Sequence, residues 1–274
     1  MFIDLWATGV AGGGYFAAFL VDRLTGRKHK LLMQIATWIG VPLVLLGVLL
    51  LVLDLGNQPW AWHLFVRFMP VSPMSLGSWI LLIWSITAVA LIALWFAEIF
   101  ESAEQPTGVF AWVASLLRPL MPAIEILTWI AFVLSVLLIT YTGVVLSNTR
   151  MSLWATVILP VLFVVSAIFT GTAAIRLVLI LLGKDVPGEF GKASLILAVL
   201  QAVALVGFLV TVPAGVLIAG PLSFLFWLGV VLVGLLVPFG LEIWTLRKEA
   251  VGSLVLASTL CVLLGGLILR AAVV

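Results

Sequence analysis

Few of the 274 residues carry side chains that can do chemistry, and those that do stand at particular places. Asp4 lies at the start of an apolar stretch. Tyr141, one of only two tyrosines, lies near the end of another and is followed by Thr142 and Gly143. Between them, Ser72-Pro73-Met74-Ser75-Leu76-Gly77-Ser78-Trp79 brings three hydroxyls and one small residue into a short segment. An acid holds or releases a proton, and a phenol hydrogen-bonds a carbonyl or passes a proton. In an apolar cleft such a set suits a quinone head group, whose two carbonyls take up two protons along with two electrons. Each residue also has a structural reading. Asp4 as an N-cap satisfies free amides. Tyr141 serves as an interfacial anchor. Ser72 before Pro73 makes a sound helix start.

A second set is ionic. Glu125 and Arg176 fall inside apolar stretches, where a lone charge is very costly. They are expected to meet as an ion pair or to form part of a proton path. Glu242 is expected to snorkel or to pair with Arg247. Gly9, Gly12, Gly13 and Gly14 crowd the first stretch. Gly9 and Gly13 form a small-xxx-small pair that lets helix backbones approach closely. The missing side chains also leave room for a flat ligand. No strand precedes these glycines, so they are not a dinucleotide fingerprint.

These residues must be held by long apolar elements. The composition is 65% hydrophobic and 9% charged, with a net charge of +2. That excludes a soluble globular enzyme and a nucleic-acid binder. Eight apolar runs reach spanning length, at about 2–21, 31–53, 74–97, 122–146, 153–182, 193–212, 222–245 and 251–273. The expected fold is all-α, an eight-span membrane protein arranged as two four-helix bundles and one domain over 1–274. The first run has no basic leader and carries Asp4, so it reads as a span rather than a signal peptide.

Basic residues orient the spans. Arg23, Arg27, Lys28, Lys30, Arg118, Lys184, Lys192, Arg247 and Lys248 fall on one side. Arg67, Arg150 and Arg270 fall on the other, a division of nine to three. The odd-numbered loops are therefore expected in the cytoplasm and both termini outside. Asp4, Ser75 and Tyr141 then share the outer level. His29 and His63 fall on opposite sides, which excludes a haem held between them, and one cysteine excludes a four-cysteine cluster. Trp60, Trp62, Phe65 and Phe68 beside His63 and Arg67 suit an outer headgroup belt. Val109–Leu117 is expected to lie flat on the inner face.

With these residues in place, the sequence resembles the NrfD/PsrC-type membrane subunits of polysulfide reductase and related molybdopterin oxidoreductases. Gly9-Val10-Ala11-Gly12-Gly13 looks like that family's glycine motif. Pro70-x-Ser72-Pro73-Met74-Ser75-x-Gly77-Ser78-Trp79 resembles its most distinctive motif. Tyr141-x-Gly143, then Leu159-Pro160-x-Leu162-Phe163 and Ser166-Ala167, are similar to its middle section. The resemblance covers nearly the whole sequence.

The resemblance implies a quinone-reactive subunit in a bacterial or archaeal cytoplasmic membrane, with no haem or iron–sulfur cluster of its own. It implies a ferredoxin-like [4Fe–4S] subunit and a molybdopterin catalytic subunit as partners. Electrons would pass between the membrane quinone pool, menaquinone or ubiquinone, and the nearest cluster. The tyrosine that contacts quinone in the family matches Tyr141. The family's first-span histidine falls on Asp4, a departure that keeps a proton-exchanging group. The site so implied has Asp4 and Tyr141 as its reacting groups, lined by Gly12, Gly13, His63, Ser72, Ser75, Gly77 and Trp79, with no metal. The competing functions are a transporter using Glu125 and Arg176 at a midplane site, and a purely structural anchor.

Overall fold

The computed structural model describes residues 1–54, 63–66, 68–69, 72–101, 109–149, 154–213, 215–247 and 252–274. All regular structure among these residues is helical. The α-helices are α1 (Phe2–Leu24), α2 (Lys30–Asp54), α3 (His63–Val66), α4 (Pro73–Glu101), α5 (Val109–Leu117), α6 (Ile124–Ser147), α7 (Ile158–Leu181), α8 (Gly188–Thr211), α9 (Gly215–Ile218), α10 (Val237–Arg247) and α11 (Gly252–Val273). A 3₁₀ segment, Arg118–Ala123, leads into α6, and a π-helical segment, Leu225–Leu236, runs straight into α10. Among the described residues, seven helical stretches are long and apolar enough to cross a membrane. They contain α2, α4, α6, α7, α8, the π segment with most of α10, and α11.

The remaining long helix, α1, has 23 residues and is built differently. Glycines and two aspartates replace aliphatic residues, so it is less apolar. It is also largely buried, packing on α2, α6, α7 and α11. Its glycines permit this. A Cβ on Gly12 would meet Ile139 at 2.9 Å, and one on Gly13 would run into the Ala167 carbonyl. Gly14 and Gly171 bring the α1 and α7 backbones together. Between membrane helices such close packing replaces a hydrophobic driving force.

The run at 153–182 is not one long helix. Trp154 to Val157 lie ahead of α7, where the Ile158 amide donates to Thr156 Oγ1 at 3.0 Å. Pro160 follows in the first turn of α7, where a missing N–H leaves nothing unpaired. Trp154 donates its indole N–H to the Val273 carbonyl at 2.6 Å and ties this connection to the end of α11. One apolar core joins α1, α2, α4, α6, the later part of α7 and Phe190 in the first turn of α8. A second joins the first turn of α1 and the end of α6 to α7, α8, the π segment and α11. Helix α7 takes part in both cores. Most of the 54–73 connection lies outside the described residues, including Trp60, Trp62 and Arg67 of the expected aromatic belt.

Candidate functional site

A cavity of about 560 Å³ opens where the first turn of α1 faces the ends of α2 and α6 and the start of α4. That volume is within the range of sites for small ligands. Its walls are largely apolar: Leu5, Leu51, Met74 and Val145. Its polar groups are Asp4, Asp54, Ser78, Tyr141 and the Met1 amino group, which pairs with Asp54. Asp4 is 3% exposed, and its Oδ1 has no hydrogen-bond partner among the described residues. A buried carboxyl left in that state is costly. Tyr141 faces both Asp4 and the Thr8 hydroxyl. Thr8 itself donates to the Asp4 backbone carbonyl at 2.8 Å and not to the carboxyl.

Two glycines make room for this pair. A Cβ on Gly47 of α2 would meet Asp4 Oδ1 and Thr8 Cγ2, each at 2.8 Å. A Cβ on Gly77 of α4 would run into the Tyr141 ring. The small residue of the serine-rich segment therefore lets the phenol lie against α4. Tyr141 and Val145 also line a second, apolar cleft of about 320 Å³ with Pro73, Leu76, Ile80 and Leu137.

The serines divide by role. Ser72 caps α4, its Oγ accepting from the Ser75 amide at 3.4 Å. Ser75 is buried, and its Oγ accepts from the Met69 amide at 3.0 Å, which staples the preceding loop to the helix. Of the three serines only Ser78 lines the cavity. Trp79 lies edge-to-face on Phe68 at 5.8 Å, away from the cavity walls. His63 opens the short α3 and is likewise not a lining residue. Gly12 and Gly13 face α6 and α7, so their missing side chains serve helix packing and do not open onto this cavity.

The ionic expectations need correction. Glu125 and Arg176 do not meet. Glu125 Oε1 accepts from Arg23 at 2.8 Å and Arg27 at 2.9 Å, at the end of α1 remote from Asp4. Arg176 pairs with Glu242 at 2.5 Å, and both are almost fully buried, so Glu242 faces the core and does not snorkel. Arg176 also donates to Ser194 at 2.7 Å, while Ser258 donates to Glu242 at 2.9 Å. The reason lies in the packing order. Helices α10 and α11 put their acid and hydroxyl against the inward face of α7, whereas Glu125 sits in the first turn of α6 beside the α1 terminus. Arg270, counted among the outer-side basic residues, lies in the core. It is fully buried in α11, donating to the Leu5 carbonyl, Ser166 Oγ and the Gly266 carbonyl, each at 3.1 Å.

Sequence reasoning missed Gly47, Thr8 and Asp54. Gly40 and Gly47 stand seven apart and so share one face of α2, with Gly40 making room for Trp84. That spacing was the available signal. Asp54 and Thr8 carry none. Among the described residues no cluster of three or more His, Cys, Asp or Glu is placed to hold a metal.

Residues 2–274 match the family described as polysulphide reductase, NrfD. The protein belongs to that family. It is 31% identical to "Protein NrfD" of Escherichia coli (strain K12) over 300 aligned positions, covering 98% of this sequence and 90% of that one. It is 30% identical to the C subunit of polysulfide reductase from Wolinella succinogenes, covering 88% of this sequence and 81% of that one. The match and the seven apolar helices make this an integral membrane protein of a family linked to oxidoreductase complexes.

Proposed function

We propose that this NrfD-family protein is the quinone-reactive membrane subunit of a multi-subunit oxidoreductase. It passes electrons between the membrane quinone pool and an iron–sulfur subunit, which in turn serves a molybdopterin catalytic subunit. The observation that carries this reading is the partnerless Oδ1 of Asp4 on an apolar-walled cavity shared with Tyr141. A quinol bound there supplies two electrons and two protons. Asp4 holds or takes up a proton at Oδ1, the atom without a partner among the described residues. Tyr141 hydrogen-bonds an oxygen of the head group, while the Ser78 hydroxyl in the wall donates to the Ser75 carbonyl at 2.9 Å. Leu5, Leu51, Met74 and Val145 exclude water, and Gly47 and Gly77 set the depth of the acid and the phenol. The cleft beyond Tyr141 is apolar, as an isoprenoid tail requires.

In this reading α1 is an eighth span, and the bundle divides into α1, α2, α4 and α6, then α7, α8, the π segment with α10, and α11. Both termini lie on the outer side, and the iron–sulfur partner docks on that face, close to the cavity. Taking the buried Arg270 out of the outer count leaves the charge bias in the same direction. The midplane transporter reading needed Glu125 and Arg176 together, and they are apart.

A photoreactive quinone analogue tests the location. The expected labels fall in residues 1–24, 73–80 and 137–148 of the assembled complex. Labels confined to the π segment and α8 would place the site elsewhere.

A further inference from the structure

At the end of α1 remote from Asp4, a second pocket of about 210 Å³ carries a different chemistry. Asp4 and Asp22 are eighteen residues apart on one helix, roughly 27 Å at the α-helical rise. This pocket therefore lies near the opposite membrane surface from the Asp4 cavity. Arg23, Arg27 and Lys30 line it, with Trp95, Asp22 and Glu125.

The acids of this pocket are already committed. Glu125 Oε1 accepts from Arg23, Arg27 and the Trp129 indole. Asp22 Oδ1 accepts the His29 amide at 3.0 Å. Lys30 pairs with Glu98. The donors are not all used. Trp95 is 3% exposed, and its indole N–H has no hydrogen-bond partner among the described residues. The Nε–H of Arg23 is also buried without one. Two buried N–H donors on residues that line one small pocket, with three cations and two acids around it, call for an acceptor that the described residues do not supply. Arginine and indole donors together suit a tetrahedral oxyanion at headgroup depth.

We propose that this pocket binds a phosphate oxyanion, delivered as the headgroup of an anionic phospholipid. Trp95 and Arg23 donate to the phosphate oxygens, and Arg27 and Lys30 supply the surrounding charge. The lipid thereby ties the ends of α1, α2, α4 and α6 together at the membrane surface. The site is independent of the quinone reading, because it shares no lining residue with the Asp4 cavity.

The test uses the full-length protein in its assembled complex, stripped of lipid in mild detergent. Dihexanoyl-phosphatidylglycerol, dihexanoyl-phosphatidylcholine and inorganic phosphate are titrated separately, with binding read by thermal shift and native mass spectrometry. Phosphatidylglycerol is expected to bind more tightly than phosphatidylcholine. Trp95→Phe keeps the ring and removes the N–H, and should weaken phosphatidylglycerol binding roughly tenfold. Arg27→Gln changes an exposed side chain, so it reports on the site even where Trp95→Phe disturbs packing. It should also reduce the preference for phosphatidylglycerol. Inorganic phosphate as effective as phosphatidylglycerol would overturn the lipid source. Equal binding of the two lipids, or unchanged binding in both variants, would overturn the site itself.

Discussion

The Asp4 cavity and the Arg176–Glu242 cluster both place charge inside a bundle of apolar helices, and they treat it in opposite ways. Around Arg176 both terminal guanidinium nitrogens are paired, and only the buried Nε–H has no partner among the described residues. The guanidinium meets a carboxylate and a serine, and the carboxylate takes a second serine from α11. Around Asp4 the neighbours make room without bonding the carboxyl: Gly47 and Gly77 are small, Thr8 donates to the Asp4 backbone carbonyl, and one carboxyl oxygen is left over. A buried charge that the protein satisfies joins helices. A buried charge that it leaves unsatisfied beside a cavity is available to a ligand.

This contrast breaks most sharply at Arg176. Arg176→Leu strands Glu242 in the core and should cost about 3–5 kcal/mol, enough to deplete assembled protein from membranes. The double variant Arg176→Leu with Glu242→Leu should recover much of the loss, as read by the yield of complex. Additive losses would mean that the pair does not act as a unit. Gly77→Val should act oppositely: the complex still assembles, while quinol turnover falls by up to about a hundredfold as the Tyr141 ring is pushed aside. Tyr141→Phe keeps the ring and loses one hydrogen bond, so turnover should fall about tenfold with assembly intact. The smallest effect is expected at Glu125. Its side chain is 45% exposed, and Glu125→Gln should change thermal stability by less than about 1 kcal/mol.

Much of the scaffold is legible in the sequence, because span length and apolarity are one-dimensional properties. The runs at 31–53, 74–97 and 193–212 correspond closely to α2, α4 and α8. The start of α4 is legible too, since Ser72 and Pro73 are a local signal. Pairings between helices are not. Depth along the membrane can be read from residue position, but the neighbour of each face cannot. Depth alone pairs Glu125 with Arg176, while packing gives Arg176 to Glu242. Arg270 counts as an outer-side charge by its position near the end of its run, yet in α11 its side chain turns into the core. In the site, Asp4 and Tyr141 are visible as polar residues out of place. Gly47 is not, because a glycine that makes room for a carboxyl looks the same in sequence as one that packs a helix.

The central claim is that Asp4 exchanges a proton with bound quinol, and Asp4→Asn tests it most directly. The substitution keeps the size of the side chain and removes its acid. Two rates are measured on the assembled complex: quinol-dependent turnover across a range of pH, and turnover from a soluble artificial donor that bypasses the membrane subunit. The account predicts that quinol turnover falls by about a hundredfold or more, with an altered pH profile, while the artificial-donor rate is unchanged. Unchanged quinol turnover with the same pH profile as the parent would contradict it.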